Sequence, residues 1–202
     1  MSITKTVIIS NAITLLGHAP IISLDNGDKM VVAASQAYDF LLPNILSNNN
    51  WRFAVAITPL TLLNETPPLP WTASYQLPSG FLKLLRLYPN IYEFDLYNNN
   101  RLYTILQVPS SDTYPFSIEY VFMPETAQLP ARFTVYLAYE IANYLALSNA
   151  QNPSYASYLR QECQAKFAMA AASEAQNRPN YSQVLFPVLA NRNIGGFVGN
   201  GG

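Results

Sequence analysis

Apolar residues recur at helical spacing at both ends of the chain and at alternating spacing between them. From Ile3 to Leu16 the residues Ile9, Ile13 and Leu16, flanked by Ile8, Ala12 and Leu15, share one helical face. Gly17 is placed to end that helix, and Pro20 with Asp25-Asn26-Gly27-Asp28 predicts a loop with a tight turn. Asp28 has the side chain of an N-cap for a second helix, whose stripe is Val31, Ala34, Tyr38, Leu41, Leu42 and Ile45. Pro43 should kink or end that helix near Leu42.

From Trp51 the period becomes two. Trp51, Phe53, Val55 and Ile57 alternate with Arg52, Ala54 and Ala56, which predicts a strand. Thr66-Pro67-Pro68-Leu69-Pro70 is incompatible with regular structure and separates it from Phe81–Tyr88, Ile91–Tyr97, Leu102–Gln107 and Phe116–Phe122, four further predicted strands. Tyr92, Phe94 and Leu96 alternate with Glu93, Asp95 and Tyr97, so one face is expected to be buried and the other wet. Short turn-rich connections point to a small antiparallel sheet. Helical spacing returns after Pro130 with Phe133, Leu137, Ile141, Tyr144 and Leu145, and again after Pro153 with Ala156, Leu159, Cys163, Phe167 and Ala170, as far as about Gln176. The expected fold is α+β: a helical bundle from residues 1–50 and 126–178, an inserted antiparallel β domain at 51–125, and an extended arm at 179–202.

Composition narrows the function classes. The chain has 202 residues, 50% of them hydrophobic but only 11% charged, against roughly 25% charged in an average soluble domain. Asparagine and tyrosine take the place of the missing charges, in tracts such as Asn48-Asn49-Asn50 and Asn98-Asn99-Asn100. Uncharged amides and phenols lose little on desolvation, so this surface suits broad protein contacts. The net charge of −1 comes with basic residues scattered singly, without the basic stripe that nucleic-acid binding requires, and any DNA contact is expected to be transient. No apolar run is long enough to span a bilayer, Val7-Ile8-Ile9 is broken by Ser10 and Asn11 without a cleavage site after it, and the lone cysteine fits a reducing cytosol.

Catalytic and metal readings each have a structural competitor. His18 stands past a helix end, where it meets free carbonyls and the helix dipole, and no Cys/His/Asp cluster of metal spacing surrounds it. Cys163 lies on an apolar stripe, where a cysteine acts as a small hydrophobe, and a catalytic role would need His18, the one imidazole in the chain, as its base. Glu93 and Asp95, at i and i+2 on one strand face, have the order of separation of a glycosidase pair but sit on the wet side of a predicted hairpin; Glu119 and Glu140 are isolated. Asp25 and Asp28 lack the rest of a calcium loop and read as turn residues. No catalytic residue, cofactor or metal is expected.

After Tyr181 the chain is apolar again. Gln183, Val184, Leu185, Phe186, Val188, Leu189, Ile194 and Phe197 form a stretch that needs a partner surface, followed by the glycine-rich end. The expectation is a docking arm that lies on a neighbouring subunit or on a partner protein.

In its order of motifs the chain resembles the tail tubular protein A family, the head-to-tail adaptors of short-tailed bacteriophages. The residues are Asn11-Ala12-Ile13-Thr14-Leu15-Leu16-Gly17-His18-Ala19-Pro20, then a helix, then Asn50-Trp51-Arg52-Phe53-Ala54. Leu77-Pro78-Ser79-Gly80-Phe81-Leu82 resembles the family's next strand start, Tyr92 through Tyr103 its tyrosine-bearing hairpin, and Leu129-Pro130 its return to helix. The likeness spans roughly residues 3 to 176. It implies a structural virion protein, made in the host bacterial cytoplasm and placed in the neck. Its homo-oligomeric ring, commonly a dodecamer, would join the portal protein to the tail tube or nozzle and line the DNA channel, with no membrane involved. Some such adaptors are linked to cell-wall hydrolysis. A virion-associated wall hydrolase, or another neck connector of a long-tailed phage, therefore stands as the alternative.

Overall fold

The computed structural model describes residues 3–25, 27–89, 93–97, 100–105, 107, 115–148 and 153–176. The first helix, α1, is Lys5–Leu15, and Thr4 caps it by accepting the Val7 N–H at 3.3 Å. Its end is a Schellman turn: the His18 N–H reaches the Ile13 carbonyl at 3.2 Å and the Gly17 N–H reaches Thr14 at 3.0 Å. Gly17 has φ +84°, the left-handed value this turn requires and a side chain disfavours.

Helix α2 is Lys29–Asn48, capped as expected by Asp28, whose carboxylate accepts the Met30 N–H at 2.8 Å. Pro43 does not end it. Ile45 and Leu46 beyond the proline are buried in the core, and that burial outweighs the lost backbone bond. Side chains take up nearby carbonyls, Asn44 donating to Phe40 and Ser47 to Pro43, each at 2.8 Å.

The strand expected from Trp51 starts later. Arg52–Ala54 form a 3-10 turn, and β1 is Val55–Pro59. The cause is the Trp51 side chain, which points into the helical core instead of alternating across a sheet. It is 2% exposed, its indole N–H donates to the Ile45 carbonyl at 3.1 Å, and its ring centroid lies 4.9 Å from Phe133 and 5.9 Å from Phe167, both edge-on.

The remaining strands are β2 (Thr61–Leu62), β3 (Ala73–Gln76), β4 (Phe81–Tyr88), β5 (Phe94–Tyr97), β6 (Arg101–Thr104) and β7 (Ser117–Phe122). They form two antiparallel sheets where one was expected: β1-β7-β4 and β2-β3-β6-β5. β2 and β3 are strands the sequence pattern concealed. β3 reads Ala-Ser-Tyr-Gln, yet its first three residues are buried. Ser74 is accommodated because its hydroxyl donates to Glu65 at 2.5 Å, and Glu65 also accepts the Arg101 Nε–H at 3.1 Å. Residues 91 and 92 of the expected Ile91–Tyr97 strand lie outside the described residues. In β5 only Phe94 is partly buried, because this strand is the edge of its sheet; Leu96 stands with Asp95 and Tyr97 in solvent.

The sheet β1-β7-β4 is the middle layer. Val55 and Val121, paired in register, face the helices together with Leu82 and Leu85. Ala56, Ile118, Tyr120 and Leu87 face the second sheet, where they meet Tyr75, Leu102 and Phe116. Helix α3 (Ala131–Ser148) buries Phe133, Leu137, Ile141 and Leu145 against α1 and α2. Helix α4 (Pro153–Gln176) packs along α3 through Cys163 and Ala170. The fold is α+β, with four helices among the described residues and strands inserted between the second and third. No described helix is long and apolar enough to cross a membrane.

Candidate interaction surfaces

Two features of the helical layer stand apart from simple core packing. The first is a patch where α2 meets α3. Phe40 is 58% exposed and contacts Tyr144, 45% exposed, at a ring-centroid distance of 6.1 Å, and Leu147 follows one turn along α3 at 51%. Tyr144 sits at an expected core position but lies at the rim of the α2–α3 seam. Phe40 falls off the apolar stripe of α2, and that misfit is the signal by which the sequence could have revealed the patch.

The second feature is a cleft of about 230 Å³ lined by Asn49, Asn50, Trp51, Phe167, Ala171, Glu174 and Ala175. It forms because α2 ends at Asn48 and the chain turns through Asn49 and Asn50 past the last turns of α4. Glu174 ties the two sides by accepting the Phe53 N–H at 3.4 Å. Periodicity alone could not show this cleft, because its walls are more than a hundred residues apart in sequence.

The titratable candidates are scattered over the helices and strands. His18 is exposed, and its backbone N–H closes the cap of α1. Cys163 is buried and its thiol donates to the Glu140 carboxylate at 2.6 Å. Burial pushes the thiol well above its usual range, and the Glu140 bond and charge push the same way. A nucleophile needs the thiolate, so this environment holds the wrong form. Glu140 is thereby occupied with Cys163, and Glu119 accepts the Tyr88 hydroxyl at 3.1 Å. Glu93 and Asp95 are both exposed; the Glu93 backbone carbonyl accepts the Thr104 hydroxyl at 2.9 Å, and the Asp95 carboxylate accepts the Leu96 N–H at 2.8 Å. Neither lines the cleft. Asp28 caps α2, and the Asp25 N–H donates to Ser23 at 3.1 Å in the preceding loop. Among the described residues no group of three or more His, Cys, Asp or Glu side chains could hold a metal ion.

The expected docking arm, Gln183, Val184, Leu185, Phe186, Val188, Leu189, Ile194 and Phe197, lies outside the described residues. No family model matches the chain, and no curated protein matches it in sequence.

Proposed function

We propose that this chain is a structural assembly subunit, a head-to-tail adaptor of a tailed bacteriophage. In this reading it is made in the bacterial cytoplasm and built into the virion neck. Copies close into a ring, dodecameric by the family resemblance, that joins the portal protein to the tail tube or nozzle and surrounds the path of the genome. The observation that carries the reading is the layout: two helices, inserted antiparallel strands and two helices, in the order the resemblance implies. The exposed Phe40, Tyr144 and Leu147 on the helical layer supply apolar area for a neighbouring protein. A low charge density suits a channel through which DNA passes without being held. In the assembled ring the segment Gln183 to Phe197 acts as an arm on a neighbouring subunit or the portal.

Native mass measurement of the purified chain, alone and mixed with a portal protein, tests the proposal. A ring-sized species, formed alone or on the portal, is expected. A monomer that never associates with a portal would overturn the adaptor reading. Deleting residues 183–202 is expected to abolish assembly; unchanged assembly would remove the arm from the account.

A further inference from the structure

The cleft at the end of α2 is lined by two aromatic residues, Trp51 and Phe167, and by two small ones, Ala171 and Ala175. Asn49, Asn50 and Glu174 complete the lining with polar side chains. Its volume of about 230 Å³ exceeds the roughly 150 Å³ that admits benzene in an engineered apolar cavity. That is room for one phenylalanine ring, with Trp51 and Phe167 in the lining as aromatic partners.

The position of the cleft in the chain singles out an occupant. Ala175 is one residue from the end of α4, and the next residues, Asn177-Arg178-Pro179-Asn180, are a turn signal. Val184-Leu185-Phe186 follows. The ten residues that follow Gln176, through Phe186, reach roughly 35 Å when extended, ample for a return over a turn. A tether this short gives an effective concentration on the order of mM, which favours the same chain over a second copy in dilute solution. Charge agrees in sign. Residues 177–202 carry Arg178 and Arg192 and no acid, whereas the rest of the chain has nine basic and twelve acidic residues, with Glu174 among those lining the cleft.

We infer that in the isolated subunit Phe186 of the same chain occupies the cleft between Trp51, Phe167 and Ala175. The segment is thereby held against its own subunit, and any partner surface must compete with the cleft for it. The inference goes beyond the adaptor reading and does not depend on it.

Disulfide trapping in the full-length chain tests it. Ala175→Cys is combined with Leu185→Cys, next to Phe186, and oxidised with diamide; a bridge requires Cα atoms within roughly 7 Å. The native Cys163 is buried and bonded to Glu140, so it stays out of the reaction. The expected result is an intramolecular bridge in the monomer. Met169→Cys with Leu185→Cys, on an exposed position outside the cleft, should give none. Adding Phe186→Ala to the first pair should slow bridging by at least about tenfold, the cost of leaving one phenylalanine ring unburied. No bridge, a bridge unaffected by Phe186→Ala, or bridging confined to dimers would each overturn the inference. Ring formation and portal binding are read separately by mass, so failure here is distinguishable from failure of the adaptor reading.

Discussion

Replacing Trp51 by phenylalanine tests the packing logic of the helical layer most directly. The indole N–H donates to the Ile45 carbonyl at 3.1 Å in a buried setting, and losing one such bond costs about 1 kcal/mol. The smaller ring also leaves a gap among Phe53, Phe133, Tyr136 and Phe167, whose centroids stand 4.9 to 6.2 Å from the indole. Removing the whole side chain would cost about 3–5 kcal/mol, and phenylalanine keeps more than half of the buried area, so the gap contributes about 1–2 kcal/mol. Together the loss is about 2–3 kcal/mol. For a chain of 202 residues each kcal/mol moves Tm by roughly 2–4 °C, so a fall of about 4–12 °C is expected. Urea unfolding followed by far-ultraviolet circular dichroism measures the free energy without relying on the tryptophan that was removed. A loss below about 0.5 kcal/mol would refute the reasoning, because the carbonyl and the four rings would then have re-satisfied themselves without the indole.

Gly17→Ala should cost about 1–2 kcal/mol through the left-handed backbone alone, since a Cβ there would meet nothing within 4 Å; a neutral result in the same urea titration would show that the Schellman turn relaxes freely. Cys163 and Tyr136 both have raised pKa values, from burial first, so the folded state keeps protons that the unfolded chain releases. Stability from these groups is fully present below the unfolded thiol value of about 8.5 and is lost as pH climbs toward the raised folded values. Tm should therefore fall with pH above about 8.5, and Cys163→Ala should flatten the part of that fall below about pH 10, where the tyrosines take over. An unchanged pH profile in the variant would dismiss the thiol's contribution. Zymography on peptidoglycan should show no clearing, with Glu93→Gln and Asp95→Asn indistinguishable from the parent; clearing abolished by either substitution would favour the hydrolase alternative over the assembly role.

Local chemistry made much of this molecule legible. The caps of α1 and α2 are side-chain and glycine effects confined to a few residues, so Gly17 and Asp28 could be assigned their roles from sequence. The stripes of α3 and α4 and the limits of β4 followed from periodicity, which directly reports which face is buried. Tertiary structure decided the places where a distant partner changes the balance. Pro43 sits inside a helix because Ile45 and Leu46 are buried beyond it. Trp51 leaves the strand pattern because its indole has a carbonyl and four rings to meet in the core. Ser74 lies within a buried strand because Glu65, nine residues earlier, accepts its hydroxyl. The cleft beside Trp51 required α4 to arrive from more than a hundred residues away. A period records which face of one element is apolar; which other element covers it, and where the cover stops short, is set by packing between segments that share no local signal.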